Sequence, residues 1–129
     1  MLLNSVALSF EQVLMQVNTI GGLAIPAHVD RMAFGLLANL GLVPADSSVE
    51  ALEITRYLHP DEAVQHFPQL EGYPLLQGGD VHRLDEFLGA NEFQIEAPSV
   101  SEIRLALRGQ EGRSLVLHPQ PMDNLPFRI

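Results

Sequence analysis

The chain has 129 residues, enough for one domain with its own core, and its 47% hydrophobic content with ten glycines and nine prolines describes a soluble globular protein rich in turns. It contains no cysteine, which excludes disulfides and thiolate metal sites and leaves His, Asp and Glu as the only strong metal ligands. Sixteen acids face seven bases, all arginine, for a net charge of −9; the absence of lysine excludes Schiff-base and P-loop chemistry, and the acidity predicts no unaided binding of nucleic acid.

In chain order, Met1-Leu2-Leu3-Asn4-Ser5 has no basic region that would mark a signal peptide, and no apolar run approaches the roughly 20 residues of a membrane span. A cytoplasmic protein without membrane contact is expected. Ser9 and Gln12 form a capping box, and Phe10, Val13, Leu14, Val17 and Ile20 recur at helical spacing up to the stop Gly21-Gly22. Leu23 to Ala27 is a short continuous apolar run, as in a strand buried on both faces, and leads into His28-Val29-Asp30-Arg31. Met32 to Leu40 reads as an apolar helix stopped by Gly41, with Phe34, Leu36, Leu37 and Leu40 as its core stripe. After a turn at 44–48, Ala51 to Thr55 is the next strand. His59-Pro60-Asp61-Glu62 then opens a helix with proline and acids in its first turn, ended by Phe67-Pro68.

Tyr73-Pro74-Leu75-Leu76 is a further strand, followed by Gln77-Gly78-Gly79-Asp80-Val81-His82-Arg83 and a short helix over 84–89. Glu92 to Glu96 alternates with period two, Ser99 and Glu102 cap a helix that Gly109 stops, and Ser114 to Leu117 is the last strand. The proline-rich tail, 118–129, is expected to be extended and docked through Leu125, Phe127 and Ile129, or else mobile. Such alternation predicts an α/β fold of βα units on a mostly parallel sheet of about five strands.

The polar clusters sit where α/β folds place their chemistry, past the C-terminal ends of strands. Asp80 and His82, two residues apart on extended backbone, would point a carboxylate and an imidazole the same way, a ligand pair suited to zinc, manganese or iron. The plainer reading is a turn aspartate capping the next helix beside a surface histidine. Glu53 is costly to bury alone and should face this cluster or pair with Arg56. Asp30 pairs with Arg31 or Arg83, or assists substrate binding. His59, His66 and His118 look like bystanders.

Taken together, Gly21-Gly22-Leu23-Ala24-Ile25-Pro26-Ala27-His28-Val29-Asp30-Arg31 and Gly79-Asp80-Val81-His82-Arg83 resemble the third and fourth motifs of the PHP (polymerase and histidinol phosphatase) superfamily, and Ala51-Leu52-Glu53-Ile54 resembles the Glu-Ile strand between them. The resemblance spans roughly Leu8 to Leu107. It implies a metal-dependent phosphoesterase built as a distorted βα barrel, with metals at the strand ends, His28, Asp80 and His82 as ligands, and Arg31 and Arg83 holding a phosphate. The substrate would be a phosphorylated small molecule or a phosphodiester, hydrolysed by metal-activated water.

The departures are equally specific. No His-x-His is present, Val29 stands where proline is usual, and Gly79 and Val81 stand where serine and alanine are usual. A whole βα barrel runs to about 250 residues, so the chain is expected to be the C-terminal half of such a protein, incomplete and inactive alone, with open strand edges that favour homo-oligomers. The alternative is a non-catalytic PHP-like module that has lost its metal site. A DNA-processing role, which the family also includes, is opposed by the acidic charge.

Overall fold

A computed structural model describes residues 7–32, 35–41, 43 and 48–119. Phe34, Leu125, Phe127 and Ile129 lie outside the described residues, as does most of the tail and of the 44–48 turn.

The parallel pair is built from β1 (Leu52–Thr55) and β2 (Leu75–Gly78), joined through α3 (Pro60–His66) and a 3-10 turn at Pro68–Leu70. Strand alternation sends Leu52 and Ile54 of β1, both wholly buried, into a core with Val29, Leu37, Ala63, Leu70 and Leu14 from α1 (Phe10–Thr19). The opposite face of the pair carries Ala51 and Leu76 against Leu107 of α4 (Val100–Arg108), with Leu23, Ile25 and Phe93 around them. Apolar residues on both faces are what a parallel pair requires.

The expected strand at 23–27 is not a full ladder strand. It nevertheless lies along β1 on the side away from β2: Glu53 N donates to Pro26 O at 3.0 Å and Val29 N to Glu53 O at 2.9 Å, whereas Leu52 N turns the other way to Pro74 O. Asp30 supplies the next rung with its side chain, accepting from Thr55 N at 2.8 Å and from Thr55 Oγ1 at 2.6 Å. Val29, standing where the motif it resembles usually has proline, thus uses an N–H that proline lacks.

The remaining strands, β3 (Asn91–Gln94) and β4 (Ser114–Leu117), pair antiparallel in a second sheet, with α4 between them in sequence. The four ladder strands of the described residues therefore divide between one parallel and one antiparallel pair, where a mostly parallel sheet of about five was expected. The fold class is α/β, as the alternation implied.

The helices form where the capping signals stood. In α1, Ser9 Oγ accepts from Gln12 N while the Gln12 side chain accepts from Ser9 N at 2.8 Å, closing the capping box. Of its expected apolar face only Leu14 is buried; Val13 and Ile20 are exposed. The helix expected over 32–40 is described as α2 (Leu36–Leu40), which buries Leu37 and leaves Leu40 exposed. Gly35 precedes it because a Cβ there would collide with the Arg31 backbone. In α3, His59 proves to be the N-cap, its Nδ1 accepting from Asp61 N at 3.3 Å. The helix expected over 84–89 is a single 3-10 turn at Leu84–Glu86, with Leu84 and Phe87 exposed.

Candidate functional site

Three segments that are distant in sequence meet at the ends of β1 and β2. They are the loop 28–31, the end of β1 with the two residues after it (Thr55 to Tyr57), and the end of β2 with the loop after it (78–86), and they line an open hollow of about 540 Å³.

His28 reaches Glu53 through Nδ1 at 2.9 Å, and the same carboxylate oxygen accepts from the His28 backbone N at 3.3 Å. Its other ring nitrogen, Nε2, faces Asp80 Oδ1 at 3.8 Å, and Asp80 Oδ2 accepts from Arg31 at 2.9 Å. Glu53 therefore faces the cluster, the first of its two sequence alternatives. Gly78 allows this, because a Cβ there would collide with the Glu53 carboxylate. Both His28 (φ 38°) and Asp80 (φ 49°) sit in the left-handed backbone region, uncommon for non-glycine residues and often associated with functional sites.

His82 is placed otherwise than the extended-backbone argument predicted. β2 ends at Gly78, and the chain turns at Asp80 so that His82 Nδ1 bonds back to Asp80 O at 2.7 Å. The two side chains do not share a strand face, because a left-handed residue breaks the period-two geometry. Glu86 anchors the turn by accepting from His82 N at 2.7 Å and Arg83 N at 3.1 Å. The His82 N–H is the main reason the Glu86 carboxyl titrates below its ordinary value of 4.5; the Arg83 N–H and guanidinium add to the effect, and burial opposes it.

Arg83 is exposed and paired with Asp85 at 3.4 Å and Glu86 at 3.3 Å. Arg56 is not the partner of Glu53. It donates to Gly79 O at 2.8 Å and Glu86 O at 3.0 Å, stapling the loop to the end of β1. Asp30, expected beside an arginine, is spent on Thr55. Sequence reasoning gave Arg56 and Thr55 no role of their own; the only signal was that Glu53 and Thr55 share one face of β1. His66 and His118 stand away from the hollow, His118 on Glu92 at 2.8 Å.

Among the described residues no group of three His, Cys, Asp or Glu side chains is arranged to hold a metal ion. His28 and Asp80 offer two facing donors. His82, the third expected ligand, keeps Nε2 clear of its Nδ1 bond to Asp80 O but does not join His28 and Asp80 in a three-donor group, and Arg31 competes for Asp80. The described residues therefore fall short of a complete centre.

No protein-family model matches the sequence. The chain is 32% identical over 108 residues to the uncharacterized protein YqxK of Bacillus subtilis (strain 168), across 78% of this chain and 27% of that protein. Its fold is similar to the lesion-specific endonuclease Q of Pyrococcus furiosus, with a TM-score of 0.68 and 23% identity over 81% of this chain and 28% of that one. It is also similar to endonuclease Q in complex with a 27-mer duplex bearing an abasic lesion at the active site, with a TM-score of 0.65 and 23% identity over 83% of this chain and 28% of that one. The chain thus spans little more than a quarter of the proteins it matches. The likeness to endonuclease Q is one of fold.

One expectation is overturned by these neighbours. The net charge argued against direct contact with nucleic acid, yet a protein of this fold holds a DNA duplex. The physical reason is that net charge sums the whole surface, whereas binding depends on the local field. Arg31, Arg56 and Arg83, three of the seven bases, all line the hollow.

Proposed function

We propose that this chain is part of a PHP-type phosphoesterase that acts on a phosphodiester of damaged DNA, in the manner of a lesion-directed endonuclease. The observation that carries this reading is the meeting of His28, Asp80, Arg31 and Arg83 at one hollow, in a fold similar to endonuclease Q. Phosphodiester hydrolysis needs a positioned nucleophile and cations at the oxygens that gain charge. Arg31 and Arg83, about half and over two-thirds exposed, can exchange a carboxylate for a phosphate oxygen. Asp80 and His28 are donors toward a divalent cation, whose chemistry would be to polarise the phosphate and acidify a bound water. With two facing donors, the rest of such a centre must come from residues beyond those described, in keeping with a chain that spans about a quarter of its relatives.

The test is binding and nicking of a duplex with one abasic site, against the same duplex intact, with manganese or zinc supplied. Preferential binding of the lesion duplex is expected, with loss of at least about tenfold in cation affinity for both His28→Ala and Asp80→Ala. Equal affinity for the two duplexes, with cation uptake unchanged in both variants, would sink the proposal.

A further inference from the structure

We infer that Glu53 is the positioning residue for His28: its carboxylate holds the imidazole in the Nδ1-protonated form, so that Nε2 turns a bare lone pair toward Asp80. The proposed function enters only in what lies opposite that lone pair.

Glu53 grips His28 twice through one oxygen, at the ring Nδ1 (2.9 Å) and at the backbone N (3.3 Å). A carboxylate accepts and does not donate, so the proton of the ring contact belongs to Nδ1. On the other side, Nε2 stands 3.8 Å from Asp80 Oδ1. A protonated Nε2 beside a carboxylate would close to about 2.7–2.9 Å, so the gap fits two acceptors facing each other with room for a cation between them. The mount is rigid: Glu53 lies on β1, bonded on one side to β2 and on the other to Pro26 and Val29. Gly78 leaves its carboxylate no steric rival, and the double grip helps hold His28 at its uncommon φ of 38°. A carboxylate behind a ligating imidazole fixes tautomer and ring orientation together.

The test is long-range proton–nitrogen NMR of the His28 ring on the full chain, at a pH well above the ordinary imidazole value of about 6.5. The ring is assigned by its loss in His28→Gln. Wild type should show Nδ1–H. Glu53→Gln, whose amide oxygen still accepts, should keep that form, and Glu53→Ala should shift toward Nε2–H. Gly78→Ala, which pushes the carboxylate off its seat, should do the same and stands in for Glu53→Ala should that variant fail to fold. An Nε2–H ring in wild type, or an unchanged ring in folded Glu53→Ala, overturns the inference.

Calorimetry with manganese or zinc alone supplies the second readout, with Glu53→Ala expected to weaken binding by about 10–100-fold and Glu53→Gln by less. The two readings separate cleanly. Nδ1–H in wild type without cation uptake leaves the positioning role standing and removes the metal-assisted reading, whereas uptake by a chain whose His28 is Nε2–H does the reverse.

Discussion

His28 and Asp80 carry backbone angles that cost an L-residue about 1–2 kcal/mol, yet their side chains make the contacts of the hollow. Strain of this kind can be measured apart from the contacts. His28→Ala and His28→Gly both delete the ring contact with Glu53 and keep the backbone one, but only glycine is at ease at φ 38°. Urea unfolding should therefore find the glycine variant more stable than the alanine variant by about 1 kcal/mol, and equal stabilities would show that the left-handed backbone stores nothing. Glu86 gives a pH-dependent counterpart. Its carboxyl is depressed in the folded chain, so the order it lends the 80–86 turn is complete above its ordinary 4.5 and is lost as the pH falls through the lower folded value. The His82 amide proton should titrate with a midpoint below 4.5 and lose that response in Glu86→Gln; a midpoint at or above 4.5 contradicts the assignment. At this scale His28 and Asp80 were legible because their motifs name them. The turning of His82 was not, since nothing local in Gly79-Asp80-Val81 announces a left-handed aspartate.

The elements meet through side chains that imitate backbone. Asp30 completes one edge of β1, and Asn91 does the same for the outer edge of β2, its Oδ1 accepting from Gln77 N at 2.9 Å and its Nδ2 donating to Gln77 O at 3.0 Å. An edge that was expected to stand open is thus closed at Gln77, which is itself buried and donates to Leu58 O at 3.0 Å. Removing the imitation leaves two backbone groups of a buried residue unpaired. Asn91→Ala should cost about 1–3 kcal/mol in denaturant unfolding, and analytical ultracentrifugation should show more self-association as the edge reopens. A loss below about 0.5 kcal/mol would mean that water replaces the amide without penalty. The capping box of α1, the Ser99 cap of α4 and their glycine stops made these helices readable, because those signals lie within a turn of the helix they cap. Glu102, however, gives its carboxylate to Glu96 N and Arg113 and closes no box with Ser99. The Asp30–Thr55, Asn91–Gln77 and Arg56–Glu86 contacts join residues 14 to 30 apart in sequence, and no local period encodes them. The missing regularity of 23–27 has the same origin, since its partner strand is only known once the fold is formed.

Over the whole molecule, charge is sorted rather than spread. On one side Arg104 and Arg108 hold Glu50 at 2.7 and 2.9 Å, while Arg113 holds Glu96 at 2.7 Å and Glu102 at 2.9 Å. Arg104 also reaches Asn18 and Gly22 O, bracing α4 against the glycine turn that feeds the His28 loop. The arginines on that side are thus committed to packing α4 and β4, and the Glu102 carboxyl is depressed chiefly by Arg113. The other three arginines of the described residues ring the hollow, where Arg31 and Arg83 pair only with exposed or half-exposed carboxylates. Exposed pairs of this kind are worth about 0–1 kcal/mol, so a phosphate can displace them cheaply, whereas the α4 cluster cannot be recruited without loosening the fold. A limit on salt dependence follows. If this chain meets a lesion duplex at the hollow, three of the described arginines are placed to neutralise phosphates, and the slope of log affinity against log salt that they give should be no steeper than about −2.7. Arg31→Ala and Arg83→Ala should each make it shallower by about 0.9, while Arg108→Ala should leave it unchanged. Fluorescence anisotropy of an abasic duplex across a salt series reads all four slopes. A steeper wild-type slope, or one that responds to Arg108 and not to Arg31, would move the DNA-binding face away from the hollow and onto the helix.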